Sequence, residues 1–206
     1  MKSVAVLIDL GFLLYKMYPL LGRRHATAED IVGLAKRCVT DQEEVFRVFC
    51  YHCPPYDNTQ RNPVSGEKID FKSQTTYRRM SRLIDELERT ETIAFRKGEI
   101  SFDGWKIGER EAGNLAKNPR PVQAGDFRPD FKQKQVDIKI GLDVAWLSSK
   151  RIVDRIALVT SDNDFIPAMK FARREGVQVI LVGVGDHHPP KSLQVHADYV
   201  RRIQSM

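Results

Sequence analysis

Apolar residues follow two rhythms along this chain. Val4-Ala5-Val6-Leu7-Ile8 and Ile156-Ala157-Leu158-Val159 are unbroken runs, as expected of strands covered on both faces of a parallel sheet. Elsewhere apolar residues recur every three or four positions and mark helix faces. Ile31, Leu34, Ala35 and Cys38 form one such face; Val136, Ile140, Val144 and Leu147 form another. Taken in order, the pattern predicts strands over 2–8, 44–52, 92–96, 155–160 and 177–182, with a last strand over 199–203. Phe12, Leu13, Tyr15 and Met17 predict a short helix that stops near Pro19. Thr27 reads as the N-cap of a second helix, with Glu29 and Asp30 in its first turn. Further helices are expected over 72–89, 133–149, 165–175 and 193–197, with Gly176 closing the one before it.

Two stretches break the alternation. Residues 54–70 are rich in Pro, Asn and Gly and read as a loop, and 108–130 read as a polar excursion. Gly98 suggests a turn into 100–107, hence a small hairpin. The expected fold class is therefore α/β, a mostly parallel central sheet with helices on both faces in three layers. One domain over 1–206 is expected, with a variable, insertion-rich region at about 54–130.

Composition narrows the function classes. Hydrophobic residues are 42% and charged residues 29%, which sets disorder aside. No apolar run reaches the length of a membrane span. Asp9 interrupts the first apolar stretch too early for a signal peptide, so a cytoplasmic protein is expected. Lys and Arg total 33 against 27 acids, a net charge of +6, which suits a polyanionic partner without demanding one. Cys50-Tyr51-His52-Cys53 is a CxxC followed by Pro54-Pro55 rather than by a helix, and it has no second pair. It reads as reduced thiols at a strand end, not as a redox or zinc motif.

The acids carry the chemistry. Asp9 follows the first strand, Asp162 and Asp164 follow the strand at 155–160, and Asp137 and Asp143 lie on the helix between. In open α/β sheets the ligand crevice lies beyond the carboxyl ends of the strands. Carboxylates gathered there repel one another, and a hard cation, Mg²⁺ or Mn²⁺, offsets that cost. Asp162 is the first choice as a ligand. Asp164 reads equally as a ligand or as the N-cap of the following helix. Asp137 and Asp143 are six residues apart, about 120° around a helix, so they do not aim along one line. Asp137, in the first turn, is placed nearer the metal, and Asp143 takes a flanking or salt-bridge role. Ser161 and Asn163 are read as phosphate or metal-water contacts, or as plain turn residues. Lys134 either neutralises a phosphate or pairs with an acid. Arg78 and Arg82 share a helix face that either follows a nucleic-acid backbone or is simply solvated. Phe102 and Trp105 read first as packing residues and second as a stacking surface. His187-His188-Pro189-Pro190 reads as a loop.

Lys134-Gln135-Val136-Asp137-Ile138-Lys139-Ile140-Gly141-Leu142-Asp143, together with Leu158-Val159-Thr160-Ser161-Asp162-Asn163-Asp164-Phe165-Ile166-Pro167, resembles the NYN domain, the LabA-like group of PIN-like nucleases. Val6-Leu7-Ile8-Asp9 fits its first motif. The resemblance implies a PIN-like fold and divalent-metal-dependent ribonuclease chemistry, with single-stranded RNA as the expected substrate. By the same resemblance Asp9, Asp137, Asp162 and Asp164 are the catalytic and metal-binding acids, with Asp143 a further metal ligand. It also implies pairing into a homodimer. One position departs: many relatives carry asparagine three residues after the first aspartate, and Phe12 stands there. That departure leaves a weakly catalytic RNA- or protein-binding module as the alternative. Other acid-bearing classes fit less well. A haloacid-dehalogenase phosphatase wants a second aspartate at position 11, which is Gly11, and a dinucleotide-binding turn wants more glycines than Gly11 alone.

Overall fold

A computed structural model of the protein describes residues 1–205; Met206, the last residue of the expected domain, lies outside them. In chain order the elements are β1 (Lys2–Asp9), α1 (Leu10–Leu20), α2 (Ala28–Arg37), β2 (Glu43–His52), β3 (Thr59–Arg61), β4 (Lys68–Asp70), α3 (Thr75–Arg89), β5 (Ile93–Lys97) and β6 (Glu99–Ile107). They continue with α4 (Glu109–Lys117), β7 (Phe127–Lys134), α5 (Val136–Ser149), β8 (Arg155–Val159), α6 (Ile166–Arg174), β9 (Gln178–Val184), α7 (Lys191–Gln194) and β10 (Tyr199–Ile203). The chain divides into two compact units. The first comprises residues 1–52, 83–98 and 135–206; the second comprises 53–82 and 99–134.

The first unit is a six-stranded sheet in the order β10-β9-β8-β1-β2-β5, parallel throughout. Every residue from Val4 to Ile8 is buried, so both faces of β1 are covered, as its unbroken apolar run predicts. From β1 the chain moves outward through β2 to β5. It then returns to the other side of β1 and lays down β8, β9 and β10. The strand order therefore reverses between β1 and β8, the switch point beyond which open α/β sheets hold their ligands.

Local chemistry fixes the helix ends. Thr27 accepts from the Asp30 amide and Asp30 accepts from the Thr27 amide, the capping box that starts α2. Gly176, at φ +85°, ends α6: its amide reaches Arg173 O and the Val177 amide reaches Ala172 O. At the amino end of the sheet the buried Glu43 carboxylate is clamped by Arg155 and by Arg201, the latter at 2.6 and 2.8 Å. Burial alone would raise its pKa, but Arg201 and Arg155 hold it down at about 2.

The second unit differs from the sequence expectation. Residues 54–70 are not a plain loop: β3 and β4 pair antiparallel across a turn in which Asn62 Oδ1 accepts from the Val64 and Ser65 amides. Three-residue strands are too short to show a period. The strand after Gly98 does form as β6, but it pairs with β7 rather than folding back on β5, which belongs to the main sheet. The polar excursion at 108–130 contains α4 and the start of β7, and β7 takes the residues expected to begin α5. Tyr56, Phe71, Phe102, Trp105 and Phe131 pack ring against ring at 5.1–6.4 Å and form this unit's core. Phe102 and Trp105 thus take the packing role.

Candidate acidic site

β1 and β8 deliver the first acids. Ile8 pairs with Val159, so the two strands end level with each other. Asp9 closes β1 and caps α1, its Oδ1 accepting from the Phe12 amide at 3.2 Å. After β8, buried Thr160 accepts the Asp162 amide on its hydroxyl. Asp162 Oδ1 then accepts the Asp164 amide at 2.9 Å and caps a single 3₁₀ turn over Asn163–Phe165. The capping duty expected of Asp164 falls to Asp162, and the Asp164 carboxylate projects from the turn without it. Asp137 comes from the first turn of α5, where the helix dipole favours an acid.

These four carboxylates are electrostatic neighbours. Burial raises the Asp9 pKa above its ordinary value, and the charges of Asp137 and Asp162 raise it further against the Phe12 and Gly11 amides. Desolvation raises Asp137, and Asp162 and Asp164 add to it. No salt bridge among the described residues involves any of the four. As the side chains stand, no three His, Cys, Asp or Glu among the described residues are arranged to hold one ion.

Asp143 behaves otherwise. Six residues further along α5, its carboxylate accepts the Tyr51 hydroxyl at 2.8 Å and the Arg96 Nε at 3.0 Å. This is the salt-bridge role foreseen for it, and its oxygens are committed to β2 and β5. Asn163 Oδ1 accepts from the Ser192 hydroxyl at 2.6 Å, which ties the turn to α7, and Ser161 is half-buried just before it. Arg78, Arg82 and Lys134 belong to the second unit: the arginines lie on α3 and Lys134 ends β7.

Sequence reasoning passed over His52, reading it with the cysteines around it. It ends β2, is buried, and has no hydrogen-bond partner for Nδ1. Burial pulls its pKa down to about 4. A Cβ on Gly11 would stand 3.5 Å from Asp9 Oδ1 and 3.8 Å from His52 Nδ1, so glycine there keeps the space between the two groups open. Its position at the carboxyl end of a central strand was the available signal. The cysteines are all buried, and burial pushes the Cys38 and Cys50 thiols up to about 12, away from the reactive thiolate.

A family model described as the NYN domain matches residues 65–204. That span contains Asp137, Asp162 and Asp164; Asp9 lies before it and is brought to them by the fold. A 77-residue stretch is 36% identical to an uncharacterized protein of Methanocaldococcus jannaschii, covering 37% of this chain and 32% of that protein. The matched stretch therefore spans about a third of that relative's length. The crystal structure of a protein of unknown function from Vibrio parahaemolyticus is similar over 98% of this chain and 93% of its own. The TM-score is 0.52 and the identity 16%, a likeness of fold.

Proposed function

Because the chain belongs to the NYN domain family of the PIN-like superfamily, we propose that it is a divalent-metal-dependent ribonuclease acting on single-stranded RNA. One observation carries this reading. Four carboxylates from three separate elements meet electrostatically at the switch point of a parallel sheet, in a chain of net charge +6, and no salt bridge among the described residues involves them.

The donor set fits Mg²⁺ or Mn²⁺ in kind, since all four groups are hard carboxylates. Asp9, Asp137, Asp162 and Asp164 would hold the ion. Mg²⁺ is commonly bound through one or two carboxylates, with water and substrate phosphate completing the shell, so a tight set of three side chains is not required. When bound, such an ion lowers the pKa of a coordinated water and neutralises charge building on the phosphate. The protein's own part is positioning. Asp9 is fixed by its cap on α1, Asp162 by Thr160 and the 3₁₀ turn, and Asp137 by α5. Ser161 and the Asn163 side-chain NH₂ are proposed to hydrogen-bond a phosphate oxygen. Lys134, Arg78 and Arg82 are proposed to neutralise the RNA backbone.

Phe12 favours a second reading. It offers no amide where many relatives carry asparagine, and its ring packs edge-on against His187 at 5.2 Å. On that reading the protein is a weakly catalytic module that binds RNA or a protein. A cleavage assay on single-stranded RNA with added Mg²⁺ or Mn²⁺ separates the two. The nuclease reading expects cleavage that EDTA and Asp162→Asn both abolish. Activity that survives both is a contaminant's, and binding without cleavage on any RNA or DNA supports the module.

A further inference from the structure

Beside the acids lies a groove whose lining differs from theirs. It has a volume of about 1080 Å³ and runs between α1 and the loop joining β9 to α7. Tyr15, Lys16 and Tyr18 line one wall, with His25 beyond them; Asp186, His187 and His188 line the other. The loop wall is held in place. Gly185 adopts φ +63°, its amide bonds Ile203 O, and a Cβ there would stand 3.3 Å from Leu20 of α1. The His187 amide bonds Val184 O.

Three features decide what this groove can hold. Its rings face outward: Tyr15 is 75% exposed and Tyr18 41%, although both carry large apolar faces. Positive charge is interleaved with them, because the Lys16 ammonium sits 5.1 Å from the Tyr15 ring centre and 5.9 Å from that of Phe12. Lys16 is the fixed cation of this lining and Asp186 its acid, with the imidazoles of His25, His187 and His188 as further hydrogen-bonding groups. Finally, the groove adjoins the first acid through Phe12, whose amide bonds Asp9 Oδ1 and whose ring packs on His187 of the loop wall. Tyr15 lies about 9 Å further along that helix at 1.5 Å per residue. Two flat rings with the Lys16 cation between them in sequence match two bases and the phosphate that joins them. A purely apolar peptide would leave Lys16 unmatched, and a free anion would leave the rings unused.

We propose that this groove is a base-stacking subsite, in which Tyr15 and Tyr18 stack on bases of a single-stranded RNA and Lys16 meets the intervening phosphate. The proposal rests on the ribonuclease reading for the identity of its ligand, but its residues lie outside the acid cluster. Phe12, packed on His187, then forms the floor between cluster and groove instead of presenting an amide to the metal.

The test is fluorescence anisotropy of a labelled single-stranded RNA oligonucleotide with the full chain in EDTA, so that binding is read apart from cleavage. The Tyr15→Ala/Tyr18→Ala variant should bind about ten-fold or more weakly than wild type. Tyr15→Phe/Tyr18→Phe, which keeps the rings, should restore binding. Lys16→Gln should lower the slope of log Kd against log salt by about one unit. Unchanged affinity in the alanine variant overturns the subsite; if Asp162→Asn still abolishes cleavage, the ribonuclease reading stands without it. No RNA binding by the wild-type protein overturns both. A sedimentation shift with protein concentration that the alanine variant abolishes, with RNA affinity unchanged, assigns the groove to a second copy of the chain and also overturns the proposal.

Discussion

Asp9 and Asp162 leave adjacent parallel strands at the same end of the sheet, Asp9 one residue beyond Ile8 and Asp162 three beyond its partner Val159. Each also caps the backbone that follows it, Asp9 through the Phe12 amide and Asp162 through the Asp164 amide. Both carboxylates are therefore held in position before any ligand arrives. The cost is repulsion among charges that the protein does not itself neutralise.

That cost is measurable. Asp137→Asn should raise the stability of the metal-free protein by a few tenths of a kcal/mol, because it removes one of the repelling charges from an exposed site. The same substitution should shrink the stabilisation that Mn²⁺ gives wild type. Thermal melts with EDTA and with Mn²⁺ check both signs. A lower melting temperature in EDTA would mean that Asp137 is stabilised by a favourable contact instead.

The pH dependence follows from Asp9. Its pKa is raised above the ordinary 3.8, so between that value and its folded pKa the native state binds more protons than the unfolded chain. Its contribution to metal-free stability therefore falls as pH rises through that window. Asp9→Asn should remove this slope. The difference between wild-type and variant denaturant midpoints, measured from acid to neutral pH, isolates it from the other carboxylates.

Asp143 should separate from the other acids. Asp143→Asn leaves Arg96 and Tyr51 without their anionic acceptor and should cost about 1–2 kcal/mol of stability. Mn²⁺ affinity, read by calorimetric titration, should change little. Loss of Mn²⁺ binding at unchanged stability would make Asp143 a metal ligand, as the family resemblance implies.

Glu43 anchors the opposite end of the sheet. Glu43→Gln should destabilise by about 3 kcal/mol or more, because Arg155 and Arg201 keep their charges in a buried place. With a folded pKa near 2 against an ordinary 4.5, the carboxylate's contribution is full above 4.5 and is lost as pH falls through about 2. The gap between wild type and variant should narrow only in acid. Urea titrations at neutral pH and at about pH 3 give the comparison.

The main sheet was legible because its signal is local. A strand buried on both faces must be apolar throughout, so β1 and β8 declared themselves, and so did the Thr27 cap and the Gly176 stop. The second unit was not legible in the same way. β3 and β4 are three residues each, and β6 finds its partner across α4 instead of at Gly98, so pairing there is decided by distant contacts.

Much the same division runs through the site. Residue type and position after a strand marked Asp9, Asp162 and Asp164 as acids facing a crevice, and helical spacing separated Asp137 from Asp143. Which acids share a space, and which is consumed by Arg96 and Tyr51, depends on strand order and on side chains from β2 and β5 that sequence adjacency does not connect. The same holds for His52 and for the groove along α1: both arise where separate elements meet. Periodicity records what a segment must bury, because burial acts residue by residue; the company its polar groups keep is set only once the chain closes on itself.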